Sequence, residues 1–579
     1  MNKSKQTKHD TNPKSLVPTI PYSSFAPLRL CVIKFRVIFF LTVLAVPCFA
    51  ENEFSLRLAP AIEIPVGIEN FNTGIGASAS LDWAFWQFAD HFNVGVNAGG
   101  HFASLPFVTG DPFTLMGGNL GLFLNYRPFD RWAFRIAANG GVYQYIRADH
   151  NETNPLFSGT LGTEFYLSPY FSLFADGGFT YRVFTSEPLN TLGISLGIRL
   201  NLSEIMGGRS RLRVERTKQN NVFPVSWAWY EKNPIAAITV TNEEPNTITD
   251  VRLSFYMDSF MSQPYTFAVV PRLAPGQSVE VPVTSLFNQA MMNLNETVNA
   301  NGLLQTQYRS LGTSKTSAAP IQMPIFHRNT MSWDDDRRAA AFVSPNDFSA
   351  RAFARYVETA VRDYLSRPVF PDTIPPKNMP QNVIYAAAIF EALRLYGISY
   401  IVDPSSSYVA LSDDASALDS LNYPYETLKY RGGDCDDLSI LFCSLLEALG
   451  IETAFITVPG HIFTAFEIGD NNWQKGNPDI IELYGHDGIL RRWFPVEITV
   501  PAEGFTRAWR IGARQWKTAA DTSTQTNAAS GAAMLYPIHA AWTIYPSVTV
   551  PAPGGSLQGM PDKSAVIRSL VIEQRAISK

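Results

Sequence analysis

The sequence predicts a multidomain chain: an all-β membrane barrel, then an all-β sandwich, then an α+β domain. Three observations carry this. Residues 51–203 contain no lysine and no cysteine, and alternate apolar with small or polar residues over segments of about ten. Residues 210–328 hold short β-branched runs separated by turn signals. Residues 345–520 switch to the three-to-four-residue periodicity of amphipathic helices, interleaved with short strands.

The first fifty residues come before all of this. Lys3, Lys5, Lys8, Lys14, Arg29, Lys34 and Arg36 precede the apolar run Val37 to Val46, and Pro47-Cys48-Phe49-Ala50 ends it. Residues 1–50 therefore read as a secretory signal with cleavage after Ala50, although the basic region is long and the true start may be a later codon than Met1. Cys48 hints at a lipoprotein signal, but the proline directly before it argues against lipidation. Without these residues the chain has 39 basic and 50 acidic residues, a net charge of −11. That balance excludes a nucleic-acid binder, which needs clustered basic residues. Only Cys435 and Cys443 remain of the four cysteines, so an exported chain must be held by packing without a disulfide framework.

Eight alternating segments follow, at 54–66, 73–86, 92–105, 113–128, 132–147, 155–168, 171–184 and 190–202. The last is the cleanest: Leu192, Ile194, Leu196, Ile198, Leu200 and Leu202 against Gly193, Ser195, Gly197, Arg199 and Asn201. Trp83, Trp86, Phe113, Tyr126, Trp132, Tyr166 and Tyr170 gather near segment ends, as an interfacial girdle does. A soluble barrel would turn polar residues outward; here the small and polar rows suit an interior. The stretch resembles small eight-stranded outer-membrane barrels, by pattern and without a diagnostic motif. An even strand count puts both ends on one side, which implies an outer-membrane anchor with the remaining domains in the periplasm.

Beyond Gly207-Gly208-Arg209, strands are expected at Ile235–Val240, Val251–Phe255, around Val279–Val283 and at Leu303–Tyr308. They make residues 210–328 a sandwich with no catalytic constellation, a spacer or partner-binding module. Asp334-Asp335-Asp336-Arg337-Arg338 reads as a solvated junction. Helices are expected at Phe348–Leu365 and Gln381–Tyr396. Residues 517–532, rich in Thr, Ser, Ala, Asn and Gln, read as a linker, so 521–579 becomes linker and C-terminal tail with a short helix near Ser564–Arg575.

The chemistry is concentrated at Gly433-Asp434-Cys435-Asp436-Asp437, just before the helical pattern Leu438, Leu441, Phe442, Leu445, Leu449 that Gly450 closes. Asp434 reads as the N-cap, and Asp437 as completing a capping box. Cys435 then lies in the first helical turn, with few core contacts, where the helix dipole favours a thiolate. Cys443 falls in the helix interior; the two lie about 12 Å apart along it, too far for a disulfide. His461 opens a strand after Val458-Pro459-Gly460, and Glu497 lies in Trp493-Phe494-Pro495-Val496-Glu497-Ile498-Thr499. A carboxylate beside the imidazole fixes its tautomer and orientation. His486-Asp487-Gly488 reads as a turn, with Asp487 the other available acid.

The order of Cys on a helix, then His and an acid on successive strands, resembles the transglutaminase-like superfamily. Tyr423-Pro424-Tyr425-Glu426-Thr427-Leu428, Arg431-Gly432-Gly433-Asp434-Cys435-Asp436-Asp437, Val458-Pro459-Gly460-His461, Val496-Glu497-Ile498-Thr499, Gly504-Phe505 and Ala508-Trp509 are similar to the bacterial transglutaminase-like cysteine proteinases in particular. The likeness covers residues 345–520 and implies an α+β papain/transglutaminase-like domain. It implies Cys435 as nucleophile, His461 as general base and acid, and Glu497 as the orienting acid, where many members carry Asp. Some members bind calcium through acids beside the nucleophile, which would fall to Asp434, Asp436 and Asp437; capping and solvation account for these residues equally well. No other cofactor is implied. The expected reaction is hydrolysis of a peptide or isopeptide bond in a protein or wall peptide, through a thioester. The alternatives are a cross-linking acyltransferase and an inactive envelope tether. The Cys435 backbone N–H is one oxyanion donor, and Tyr423 or Tyr425 is the guess for the second.

Overall fold

A computed structural model describes residues 53–67, 71–88, 91–108, 112–147, 150–184, 188–206, 210–366, 378–402, 417–485, 487–526, 533–550 and 557–578. The signal segment 1–50 with Cys48, and His486, lie outside the described residues. The chain divides into two compact units, residues 1–207 and 208–579.

In the first unit, eight antiparallel strands close into a barrel in chain order. They are β1 (Glu53–Val66), β2 (Gly74–Phe88), β3 (Phe92–Leu105), β4 (Phe113–Phe129), β5 (Trp132–Arg147), β6 (His150–Tyr166), β7 (Phe171–Arg182) and β8 (Leu189–Asn201). β1 and β8 seal it, with Leu56 opposite Leu200 and Ile64 opposite Leu192. All eight expected segments are strands. β6 alone departs markedly, starting five residues early, because His150–Asn154 pairs with Tyr143–Arg147 despite being polar.

Alternation gives each face its character. Ile75, Leu120, Leu161, Ile194 and Leu196 point outward and are more than half exposed. Arg57, Asp82, Arg135, Glu164, Arg182 and Arg199 are buried inside. An eight-stranded barrel has room for side chains and little else. Here ion pairs fill it: Arg57 meets Glu164 at 3.2 Å and Asp176 at 2.8 Å, Arg135 meets Asp82 at 2.7 Å, and Arg199 meets Glu164 at 3.3 Å. Arg182 holds Glu63 at 2.9 Å. Glycine makes the space, since a Cβ at Gly162 would collide with the Asp176 carboxylate.

The second unit begins with two antiparallel sheets. One has the order β13-β10-β9, from Ser278–Val283, Ala236–Asn242 and Leu212–Gln219. The other is β12-β11-β14-β15, from Tyr265–Leu273, Ile248–Tyr256, Val298–Ser310 and Thr313–Ile325. Ile238, Val240 and Val281 of the first share a core with Val251, Leu253, Leu304 and Met323 of the second. The sequence pattern misses β9, β12 and β15, all at sheet edges. Their outer faces carry residues such as Glu215, Arg216, Arg272 and Thr316, so no apolar row advertises them. The Asp334–Arg338 run is not a solvated junction. Asp335 caps a helical turn at Asp336–Phe342, Arg338 is buried beside the Trp229 and Tyr545 rings, and Ala339–Val343 enters the core.

Helices α1 (Phe348–Ser366) and α2 (Gln381–Tyr396) follow, then β17 (Ser399–Tyr400), after a three-residue β16 at Thr330–Ser332 that pairs with β18 (Leu418–Ser420). Next come α3 (Pro424–Tyr430), β19 (Gly432–Gly433) and α4 (Cys435–Glu447). A five-stranded sheet has the order β22-β23-β21-β20-β24, from Ile481–Tyr484, Leu490–Val496, His461–Glu467, Thr453–Val458 and Met534–Pro537. α4 lays Cys443 and Ile440 against Phe455 and Ile462 of that sheet. The expected linker is corrected: α5 (Phe505–Thr526) continues through 517–526, where Ala519 and Ala520 sustain it, and only 527–532 is outside the described residues. Nor is 521–579 merely a tail. Met534–Pro537 supplies the fifth strand, α6 (Ile538–Trp542) follows it, and α7 (Lys563–Ile577) buries Val566, Ile567 and Leu570 in the same core as α1 and α2.

Among the described residues, no helix is long and apolar enough to cross a membrane, which says nothing about strands.

Candidate active site

Cys435 is the first residue of α4. Asp434 caps that helix by accepting from the Asp437 N–H. The expected capping box is absent: the Asp437 carboxylate turns away and accepts from the backbone N–H and side-chain amide of Asn422, both at 2.6 Å. Gly433 is required just before the cap, because a Cβ there would sit 2.5 Å from the Asp437 Cβ. At the far end Gly450 takes a positive φ of 76° and stops the helix.

The Cys435 side chain is buried among Tyr423, Phe342, Ile440 and Ile462, which corrects the expectation of few core contacts. Burial, reinforced by the Asp434 charge, pushes the thiol up to about 12, against the lowered value expected from the helix dipole. The backbone N–H groups of Ile462 and Asp436 hydrogen-bond the sulfur and pull the other way without prevailing. Desolvation thus outweighs the dipole, and the thiol rests neutral. Cys443, fully enclosed in the helix interior, is raised by burial too and faces only core.

His461 opens β21, immediately before the Ile462 whose N–H meets the sulfur. Its ring stacks on Phe463 with centroids 5.7 Å apart. Nε2 lies 2.6 Å from Oε2 of Glu497, so Nδ1 is the nitrogen left to exchange a proton with the thiol. Glu497 follows the end of β23 and is buried; its Oε1 accepts from the Thr499 N–H at 3.0 Å and hydroxyl at 2.6 Å. Burial alone would raise its carboxyl, but the bonds from His461 and Thr499 overcome that and hold it below the usual range. A charged carboxylate therefore fixes the imidazole. Asp487 has no part in this: it sits in the expected turn, paired with Arg491 at 2.7 Å.

Asp434, Asp436 and Asp437 are all buried, and one ligand oxygen from each lies within 4.8 Å of the others. Asp436 Oδ2 has no hydrogen-bond partner. Burial first, then the neighbouring carboxylates, pushes Asp436 far up and Asp437 up to about 7. Crowded buried carboxylates with an orphaned oxygen form a donor set that fits calcium, a hard ion that takes oxygen ligands.

Two side chains do not play the expected part. The buried Tyr423 hydroxyl donates to the Arg328 carbonyl at 3.2 Å, and Tyr425 donates to Glu426 at 2.7 Å, so neither is free to donate to an oxyanion. The aromatic at the site is Tyr400, opposite Gly433 in a parallel pairing of β17 with β19. Burial raises its hydroxyl first, and next the charges of Cys435, Asp434, Glu497 and Asp436. Nothing in its local sequence reveals this, since a two-residue strand carries no periodicity. Asn422 and Thr499 were also passed over; Thr499, two residues after Glu497, is where a short side chain reaches back.

By sequence, the chain matches no protein-family model and no curated protein. Among solved structures it is similar to neisserial surface protein A, at 11% identity over 25% of this chain and 96% of that one, with a TM-score of 0.22. It is similar to the Yersinia pestis attachment invasion locus protein Ail at 14% identity, covering 26% and 97%, TM-score 0.18. The N-terminal β-barrel domain of Pseudomonas aeruginosa OprF gives 12%, with 26% and 100% covered and a TM-score of 0.19. These likenesses extend to a quarter of the chain, so they do not speak to the Cys435 site.

Proposed function

We propose that the chain is an envelope-anchored cysteine hydrolase that cleaves peptide or isopeptide bonds through a thioester. The observation that supports this best is the 2.6 Å His461–Glu497 pair, with His461 next in sequence to Ile462, whose N–H meets the buried Cys435 sulfur. As the sulfur attacks an acyl carbon, His461 takes the thiol proton at Nδ1, and Glu497 stabilises the imidazolium. The backbone N–H of Cys435 faces the developing oxyanion. His461 then gives the proton to the leaving amine, and water, deprotonated by the same imidazole, releases the acid. A neutral resting thiol suits this course, because the proton leaves only as the new bond forms.

Asp434, Asp436 and Asp437 would hold calcium. Calcium held there would offset the Asp434 charge that raises the thiol and would brace the first turn of α4.

The barrel serves as an outer-membrane anchor in this reading, with the second unit in the periplasm. Its outward rows are apolar and its charges lie inside, which suits lipid outside. Intact protein in the outer-membrane fraction, shifting on gels with heating, supports the anchor; a detergent-free soluble periplasmic species refutes it.

The test of the chemistry is release of new amine termini from envelope proteins or wall peptides by the wild type and not by Cys435→Ala. Incorporation of a labelled amine in place of hydrolysis would make the protein a cross-linking acyltransferase. Absence of any turnover, with Cys435 inert to electrophiles in the folded protein, would make it a tether.

A further inference from the structure

The sandwich buries an amine that the catalytic reading does not use. Lys315 is the only buried lysine among the described residues, 7% exposed. The two-residue turn Leu311-Gly312, both at positive φ, joins β14 to β15 and sets their register. That register puts Lys315 directly opposite Tyr308, so the two side chains share the inner face. Glu244 reaches them from the connection between β10 and β11, where the chain passes from one sheet to the other. The connection is pinned. Asn242 donates its side-chain amide to the Asn246 and Leu273 carbonyls, both at 3.0 Å, and accepts from the Glu244 N–H at 2.9 Å. Asn246 in turn donates to the Ser310 hydroxyl at 3.0 Å.

Lys315 Nζ lies 3.0 Å from Glu244 Oε1, with both side chains enclosed. The buried Tyr308 hydroxyl donates to the same oxygen at 2.7 Å. The Arg211 N–H donates to that hydroxyl at 3.1 Å, so the tyrosine's own proton is turned to Glu244. Burial, then the Glu244 charge, raises the Tyr308 hydroxyl and keeps it a donor. An amine, a carboxyl and a hydroxyl donor in fixed contact are the parts of an amide condensation. Desolvation penalises the ion pair relative to a neutral amine and acid, and a neutral lysine amine is a nucleophile. Fixed contact replaces a chance encounter, and enclosure keeps out the water that would reverse the reaction.

We propose that Lys315 and Glu244 join in an intramolecular amide bond, a covalent staple between edge strand β15 and the β10–β11 connection. This does not depend on the reading of Cys435. Nζ passes a proton to Oε1 along their 3.0 Å contact, and the neutral amine attacks Cδ. The C–N bond forms, the Cδ–Oε1 bond breaks, and Oε1 leaves as water with that proton and a second one from Nζ. The Tyr308 hydrogen bond steadies Oε1 as it leaves, and Oε2 remains as the amide oxygen. Two buried charges become one neutral amide. Cys435 and Cys443 are both free, so this bond supplies a covalent tie that those cysteines do not.

The test is the mass of the whole protein, recovered in detergent and then denatured, which separates an ion pair and leaves an amide intact. The wild type is expected to be lighter than its own polypeptide by one water, and Lys315→Met to show its full mass. Trypsin should pass over Lys315 in the wild type and yield one branched peptide joining residues 233–252 to residues 310–328. Tyr308→Phe should slow the condensation and leave open chain in freshly folded protein. Wild-type protein at full mass, with residues 310–315 released as a free tryptic peptide, would overturn the bond and leave an ion pair. A water lost while that peptide is still released in full would place the dehydration elsewhere and overturn it equally.

Discussion

The barrel and the Cys435 site both bury charged side chains, and they treat that charge in opposite ways. In the barrel, Arg57, Arg135, Arg182 and Arg199 each lie against a carboxylate, and Glu164 is shared between two of them. Desolvation is offset locally, as it must be where water is scarce. At the head of α4, Asp434, Asp436 and Asp437 crowd together with no guanidinium or ammonium group among the described residues paired to them, and one oxygen of Asp436 has no hydrogen-bond partner. At the carboxylate cluster, burial and the neighbouring acids push Asp436 and Asp437 up, so protons rather than guanidinium groups offset the crowding, and groups shifted in this way cluster at functional sites.

The largest expected effects break the second region. Cys435→Ala and His461→Ala should each abolish amide hydrolysis. Glu497→Gln should lower turnover by about 10³–10⁴-fold, because a neutral amide holds the imidazole less well and no longer stabilises its cation. Steady-state rates on a common substrate check the order. Unchanged turnover in Glu497→Gln would show that Glu497 does not orient the imidazole.

Breaking the balance in the first region comes next. Glu164→Gln leaves Arg57 with Asp176 and Arg199 with Glu53 as remaining carboxylate partners and should cost about 1.5–3 kcal/mol. Leu196→Arg, on the outer face, should cost about 2–4 kcal/mol if it meets lipid near the midplane. Replacing Ser195 by a larger polar residue, on the inner face, should be milder. Urea unfolding of the barrel in detergent, followed by its heat-modifiable gel shift, measures all three. Tolerance of Arg at position 196 with no loss would argue against a lipid-facing row.

The smallest effect sharpens the contrast. Asp437 titrates near 7 in the folded chain against 3.8 ordinarily, so the folded state holds a proton that the unfolded state releases. Without calcium, that contribution is present in full below about pH 4 and is lost as pH rises through 7, with a slope of at most about 1.4 kcal/mol per pH unit. Calcium should flatten or reverse the slope, and Asp436→Asn should weaken that response. Thermal unfolding of the second unit between pH 4 and 8, with calcium or a chelator, reads this directly. A slope that ignores calcium would mean the carboxylates hold no ion.

How much of this was legible in the sequence follows from the same contrast. The barrel strands were readable, β6 apart, because an apolar outer face and a packed interior impose strict alternation, as from Leu192 to Leu202. Edge strands such as Thr313–Ile325 were not, since their exposed faces tolerate polar residues. The Cys435, His461 and Glu497 positions were readable from motif and spacing, and the structure brings His461 and Glu497 into contact. What spacing could not convey was environment. The dipole argument for Cys435 was sound locally and lost to burial, which depends on Phe342 and Ile462, 93 and 27 residues away. Tyr400 was hidden for a related reason, because only tertiary pairing sets it opposite Gly433, two residues before Cys435.

The most direct test of the central claim is intact-mass labelling of the folded full-length protein with an acyl-directed electrophile, comparing wild type, Cys435→Ala and Cys443→Ala. The account predicts a single adduct on wild type and on Cys443→Ala and none on Cys435→Ala, since Cys443 is enclosed and away from His461. Labelling of Cys435→Ala at the wild-type rate, or no adduct on the wild type, would contradict it.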